Sequence, residues 1–202
     1  MPIADLYIAR MPKQINIKKL SCDARNKEIS SLTNKQVMAE KYYVWKLLEY
    51  AVQNSYGVTC KNIDFKKTDS GKWVTDGFFF SLSHSKDAIA VAISDSPIGI
   101  DIEHVDKNRS ARIANRIMTP EEYSHYDALG NDDKACYLIG CWTAKEAYFK
   151  AGESKIFEPS KILSDDGSLV TRKAELNGCE YMYSVCTEER QALRIFDNID
   201  IQ

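Results

Sequence analysis

The octapeptide Pro97-Ile98-Gly99-Ile100-Asp101-Ile102-Glu103-His104 alternates isoleucines with a glycine and two carboxylates. A period of two is that of a β-strand, so one face is apolar and the other carries Gly99, Asp101 and Glu103. Two like charges beside a residue without a side chain suit a hard cation and a ligand that comes close to the backbone. The competing reading is a surface strand whose polar face is acidic. Downstream, Trp142, Glu146 and Lys150 are spaced four apart and share one face of any helix that contains them, with Ile139 a turn earlier. Glu146 and Lys150 are then either a routine surface pair worth about 0.2–0.5 kcal/mol or an acid and a base on a partly buried, functional face. A third group, Ser81-Leu82-Ser83-His84-Ser85, offers hydroxyls and an imidazole. It reads either as a phosphate grip or as a polar strand end.

The elements that carry these residues are legible around them. Asp5 to Met11 reads as an opening strand and Asp23 to Leu32 as a short helix bearing Arg25 and Lys27. Thr33 or Asn34 caps a longer helix over Lys35 to Asn54, whose stripe Val44, Trp45, Leu47, Leu48, Ala51 and Val52 must be buried, with Lys41 and Lys46 on its flanks. The polar turn Thr68-Asp69-Ser70-Gly71-Lys72 enters a strand at Trp73. Phe78 to Ser85 and Ala88 to Ser94 follow as strands, and the turn Ser94-Asp95-Ser96-Pro97 leads into the acidic one. Thr119 with Glu122 three residues on forms a capping box, and Pro120 stands at the first helical position. A second long helix runs over Asp133 to Lys150 and stops at Gly152. The tail predicts strands at Ile162 to Ser164, Leu169 to Leu176, Glu180 to Cys186 and Ala192 to Phe196.

Composition narrows the class. With 27 basic and 29 acidic residues among 202, a broad nucleic-acid surface is not expected. No run of eighteen apolar residues occurs, and the N-terminus lacks a basic-then-apolar leader, so a cytoplasmic location with no membrane partner is expected. The six cysteines (22, 60, 136, 141, 179, 186) follow no metal-ligand spacing and read as reduced, mostly buried thiols.

A faint internal repeat is present. Thr68-Asp69-Ser70-Gly71-Lys72-Trp73-Val74 matches Ser164-Asp165-Asp166-Gly167-Ser168-Leu169-Val170, and Phe80-Ser81-Leu82-Ser83 matches Tyr183-Ser184-Val185-Cys186. The Thr68 and Ser164 strings each follow a long helix and precede two strands. The expected fold is therefore α+β, with two similar α/β halves related by a pseudo-twofold duplication and joined near Pro97 (1–97 and 98–202). Chance matching of short strings is the alternative.

Asp101-Ile102-Glu103 together with Trp142-Thr143-Ala144-Lys145-Glu146-Ala147-Tyr148-Phe149-Lys150 resembles the paired signatures of the 4′-phosphopantetheinyl transferase superfamily. Those are Gly-hydrophobic-Asp, then an aromatic residue followed by Ser/Thr/Cys-x-Lys-Glu-(Ala/Ser)-x-x-Lys. Gly71-Lys72, the run Phe80 to Ser85 and the segment Arg116 to Tyr123 extend the resemblance over most of the chain. Length and repeat resemble the Sfp-type branch, a single-chain pseudodimer that acts as a monomer, rather than the short trimeric holo-acyl-carrier-protein synthases.

The resemblance implies the enzymatic transfer of 4′-phosphopantetheine from coenzyme A to a serine of an apo acyl or peptidyl carrier protein, with release of 3′,5′-ADP. It implies magnesium held by Asp101, Glu103 and Glu146, with Lys145 and Lys150 along the phosphates, Ser83 and His84 at the 3′-phosphate, and Lys72 near the nucleotide. Arg25, Lys27 and Lys41 fall where the family keeps basic phosphate contacts. Two residues depart from the pattern: Trp73 stands where the family has proline, and Lys41 where arginine is more usual. A neutral hydroxyl attacking a charged diphosphate needs charge neutralisation and a base. Glu146 is the expected base, direct or through water, and Lys150 the group that stabilises the departing phosphate. The rival readings are a non-enzymatic module that binds coenzyme A or a carrier, and a magnesium-dependent phosphohydrolase.

Overall fold

In the computed structural model, residues 3–106, 112–152, 154, 156–188 and 191–201 are described. The chain opens with strand β1 (Ile3–Arg10), then helices α1 (Asp23–Ser30) and α2 (Lys35–Tyr56). A short hairpin, β2 (Lys66–Lys67) and β3 (Trp73–Val74), precedes the long hairpin β4 (Phe79–Ser85) and β5 (Ala88–Ser94). Strand β6 (Ile98–His104) is followed by helices α3 (Ala114–Ile117), α4 (Pro120–Ala128) and α5 (Asn131–Ala151). Strands β7 (Leu169–Leu176), β8 (Cys179–Thr187) and β9 (Ala192–Asp200) complete the order.

Besides the two-stranded β2-β3 hairpin, two larger sheets form, ordered β4-β5-β1-β9 and β6-β8-β7. All neighbours are antiparallel except β1 and β9, which run parallel. Period-two patterning explains the layers. Ala4, Leu6 and Ile8 of β1 with Ala88, Ala90 and Ala92 of β5 pack on Ile98, Ile100 and Ile102 of β6 and on Tyr181, Tyr183 and Val185 of β8. The small alanines of one sheet accept the bulky residues of the other. The opposite face of the first sheet (Tyr7, Ala9, Ile89, Val91, Ile93) lies under α2, whose Trp45 is fully buried against Phe65, Phe80 and Trp73. Helix α5 covers the second sheet, giving a helix–sheet–sheet–helix stack of the α+β class. On its other side α5 meets α3 and α4 through Leu138 and Cys141.

Local signals decide the helix ends. Asn34 Oδ1 accepts from the amides of Gln36 and Val37, and Gly57 closes α2 in the left-handed region at φ 68°. The Thr119–Glu122 capping box forms in full, with Pro120 in the first turn. Two expected strands differ from what forms. Residues Ile162 to Ser164 are not a strand; the Ser164 amide and hydroxyl instead donate to Glu122 Oε1 at 2.9 and 2.6 Å, a tertiary contact that no local pattern encodes. The last strand continues past Phe196 to Asp200, because β1 offers its edge as a parallel partner. Arg194 of β9 is tied there by Nε and Nη2 to the Asp5 carboxylate, at 2.6 and 2.7 Å. The six cysteines are all free thiols, four of them buried. Among the described residues no helix is long and apolar enough to cross a membrane.

Candidate active site

Helix α5 crosses β6 at Gly99, and this crossing builds the site. A Cβ at Gly99 would stand 1.9 Å from the Ala147 carbonyl oxygen and 2.6 Å from the Ala151 amide nitrogen. Only glycine permits that approach. The strand's isoleucines point to the inter-sheet core, so Asp101 and Glu103 must face α5, where Glu146 and Lys150 lie one turn apart.

Asp101 is almost wholly buried, and its Oδ1 accepts from Lys150 Nζ at 2.7 Å and from Ser83 Oγ at 2.7 Å. Its second oxygen, Oδ2, is buried with no hydrogen-bond partner among the described residues. An unmatched buried carboxylate oxygen is costly and marks a place where a donor or cation is wanted. Glu103 Oε2 accepts from Ser85 Oγ at 2.8 Å. Burial pushes the Glu146 carboxyl above the ordinary carboxylate range; the Asp101 and Glu103 charges add to that, and the Lys150 ammonium works against it. A half-buried acid raised by its burial, with two carboxylates beside it, is poised to take up a proton or to share a cation. Among the described residues, no three carboxylate, histidine or cysteine side chains already stand close enough to count as a ligand set. Asp101, Glu103 and Glu146 share one face and one field, with the Lys150 ammonium seated on Asp101.

The serine run has a structural explanation. Ser81, Ser83 and Ser85 alternate along β4, and their hydroxyls accept from the amides of Ile100, Ile102 and His104 at 3.1, 3.2 and 3.1 Å. Among the described residues those amides belong to the edge of β6 that has no strand partner, so three side chains replace a backbone ladder between the two sheets. Ser83 therefore sits on Asp101 and Ile102. His84 points to the other face of β4, toward α2, with Nδ1 3.7 Å from Glu40 Oε2. Its imidazole is held below the usual histidine range by burial and by the Lys150, Arg25 and Lys41 charges, against the pull of Glu40.

The remaining expected residues divide sharply. Lys72 Nζ donates to the Lys150 carbonyl at 2.6 Å, which brings the loop after β2 to the end of α5. Arg25 is buried, with Nη1 on Glu28 Oε2 at 2.7 Å and Nη2 on the Lys41 carbonyl at 2.8 Å. Lys41 Nζ donates to Glu28 Oε1 at 2.5 Å, and Lys27 is exposed on α1. Lys145 is not among the residues brought to the acidic face. Its ammonium is fully buried and donates to Ile117 O (2.8 Å), Glu122 Oε2 (2.5 Å) and Pro159 O (2.9 Å), tying α3, α4 and the turn at Pro159–Lys161 to α5. Sequence reading missed Glu122, Glu28 and Lys67 as partners of signature or basic residues. The i,i+3 spacing of Arg25 and Glu28 was a usable signal; the contacts of Lys67 and Lys145 span 39 and 23 residues and left none.

The comparisons agree with this geometry. A family model described as the 4′-phosphopantetheinyl transferase superfamily matches residues 97–196, from the acidic strand to the middle of β9. The 4′-phosphopantetheinyl transferase psf-1 of Bacillus pumilus is 31% identical over 133 residues, 62% of this chain and 57% of that protein. The 4′-phosphopantetheinyl transferase Sfp of Bacillus subtilis is 31% identical over 107 residues, 52% of this chain and 47% of that protein. A holo-[acyl-carrier-protein] synthase of Streptococcus agalactiae is 34% identical over 95 residues, 42% of this chain and 80% of that protein. The chain spans about half the length of the two Bacillus relatives. With the acidic strand and the Lys-Glu helix both inside the matched region, the chain belongs to the 4′-phosphopantetheinyl transferase superfamily, with Sfp-type transferases among its relatives.

Proposed function

We propose that this protein is an enzyme that transfers the 4′-phosphopantetheine arm of coenzyme A to a serine hydroxyl of an apo acyl or peptidyl carrier protein, releasing 3′,5′-ADP. The observation that carries the proposal is the juxtaposition, across the Gly99 crossing, of buried Asp101, half-buried Glu103 and the raised carboxyl of Glu146, with Lys150 2.7 Å from Asp101. The donor set suits a hard divalent cation: oxygen ligands, one of them the orphaned Asp101 Oδ2. Asp101, Glu103 and Glu146 would hold magnesium, which when bound supplies positive charge against the diphosphate of coenzyme A.

The remaining chemistry falls to the chain's own groups. Glu146, with its raised proton affinity, accepts the proton of the carrier serine as a new oxygen–phosphorus bond forms on the pantetheine-side phosphate. The bond from that phosphorus to the oxygen of the nucleotide-side phosphate breaks, and the electron pair leaves with 3′,5′-ADP. Lys150, held on Asp101, stands ready to neutralise the departing phosphate. Lys72, Arg25, Lys41 and His84 supply positive or donor groups for the nucleotide. For Ser83 the contacts support a role in orienting Asp101, and for Lys145 a role in holding the helix.

We read the chain as two related halves, 1–97 bearing the nucleotide contacts and 98–202 bearing the acidic strand and the Lys-Glu helix. Supporting this, β1-β5-β4 and β6-β8-β7 share the same pairing order, each with a long helix (α2, α5) after its first strand. Strand β9 crosses back onto β1. Two halves in one chain make a second copy unnecessary, so a monomer is expected, working in the cytoplasm. With apo carrier proteins, coenzyme A and magnesium, release of 3′,5′-ADP should match carrier modification one for one. Release without modification would make the protein a phosphohydrolase and overturn the reading.

A further inference from the structure

The serine hydroxyls of β4 do more than cap the edge of β6. Accepting an amide uses a lone pair of the serine oxygen and leaves the hydroxyl proton still to be placed. Ser83 gives its proton to Asp101 Oδ1 at 2.7 Å while it accepts from the following amide, that of Ile102. Ser85 repeats the unit: it accepts from the His104 amide and gives its proton to Glu103 Oε2 at 2.8 Å. Ser81 accepts from the Ile100 amide, but the residue before Ile100 is Gly99, which has no carboxylate to receive a proton. The first sheet therefore reaches across and holds both acidic side chains of the second.

That hold has a direction. Asp101 Oδ1 is taken by both Ser83 and Lys150 Nζ, whereas Oδ2 is buried and has no hydrogen-bond partner among the described residues. Pinning one oxygen of a carboxylate fixes where the other points. Glu103 is a long side chain with much rotational freedom, and the Ser85 hydroxyl on Oε2 removes part of it before any ligand arrives. Capping a strand edge requires neither effect, since each amide asks only for an acceptor.

We propose that Ser85, together with Ser83, is a positioning residue for the cation. The carboxylates come from β6 but their orientation is set by β4, so loading the site tightens the seam between the two sheets. Ser85 acts through Glu103 and not on the cation itself. That the cation is magnesium rests on the transferase reading; the hydroxyl ladder rests on geometry alone.

The test is a magnesium titration of the whole protein, read as the rise in melting temperature, with amide exchange measured along β6. Ser85→Ala should raise the half-saturating magnesium concentration at least about tenfold, as loss of a group that orients a metal ligand does. Ser85→Thr keeps the hydroxyl and should stay within about threefold of wild type. Ser81→Ala is the control, because it removes an edge acceptor that holds no carboxylate. It should speed exchange of the Ile100 amide and leave half-saturation unchanged. Equal half-saturation in wild type and Ser85→Ala, or equal losses in Ser85→Ala and Ser81→Ala, would reduce the serines to edge caps and overturn the proposal. Wild type alone supplies an arm that no folding defect can spoil. Magnesium should slow exchange at the Ile102 and His104 amides at least about threefold more than in the β7–β8 ladder, and equal slowing in both places would overturn the proposal. A wild type that binds no magnesium overturns the proposal and the cation site together. The expected loss in Ser85→Ala, seen in a protein that modifies no carrier, keeps the positioning role and sinks the transferase reading.

Discussion

Replacing Gly99 by alanine adds one methyl group where the structure has no room for it. The new Cβ would lie 1.9 Å from the Ala147 carbonyl oxygen and 2.6 Å from the Ala151 nitrogen, both backbone atoms that cannot rotate away. Restoring an ordinary contact of about 3.5 Å means moving α5 off β6 by about 1.5 Å. That displacement carries Glu146 and Lys150 away from Asp101, and a misplacement of about 1 Å is enough to cost about 100-fold in rate. Overpacking itself costs about 1–3 kcal/mol, which in a chain of this size lowers the melting temperature by about 3–10 °C. Gly140 is the control on the same helix: its Cβ would meet only Met182 Cε at 3.4 Å and Thr171 Cγ2 at 3.6 Å. In a helix interior, alanine there should be neutral or stabilising by up to about 1 kcal/mol. Melting curves and transfer rates on an apo carrier protein, taken for both variants, decide the point. A Gly99→Ala protein within twofold of wild type in rate, with an unchanged melt, would refute the claim that this crossing positions the site.

Lys145→Met should cost about 3–5 kcal/mol, because it strands the buried Glu122 carboxylate, and adding Glu122→Gln should recover part of the lost melting temperature. Loss of coenzyme A affinity at an unchanged melt would instead put Lys145 on the phosphates. Magnesium should raise the wild-type melt, as any ligand of the native state does, and leave that of Asp101→Asn unmoved; equal shifts would remove Asp101 from the cation site. Against the effect of burial, Lys41, Lys67 and Arg25 hold Glu28 at about 2, below its ordinary 4.5, so its contribution to stability is full above pH 4.5 and fades as the pH falls toward 2. The stability gap between wild type and Glu28→Gln should close over that window in acid-unfolding curves, and a gap constant with pH would contradict the ion cluster.

Much of this was legible from local pattern. The period-two run of isoleucines gave β6 its two faces, and the Thr119–Glu122 box and Asn34 gave α4 and α2 their starts. Glu146 and Lys150 were placed on one helical face by spacing alone, and the structure sets that face against Asp101. The serine run was harder. Hydroxyls at alternate positions suit a phosphate or an unpaired strand edge equally well, and only the position of β6 selects the edge. Lys145 marks the limit of motif reasoning. One step along α5 from Glu146, its side chain points about 100° away around the helix axis into a pocket made by α3, α4 and the Pro159 turn, none of which its spacing records. Lys67 and Glu28, 39 residues apart, meet only once the hairpin has folded onto α1.

The central claim is that Glu146 and its acidic neighbours carry out transfer of a phosphopantetheine arm to a carrier serine. Intact-mass spectrometry of a panel of apo carrier proteins, incubated with coenzyme A, magnesium and either wild type or Glu146→Gln, tests it most directly. A mass gain of one phosphopantetheine on the carrier with wild type, lost when the carrier serine is changed to alanine and reduced at least about 100-fold with Glu146→Gln, is the expected result. Full carrier modification by a folded Glu146→Gln protein, or none on any carrier by wild type, would contradict it.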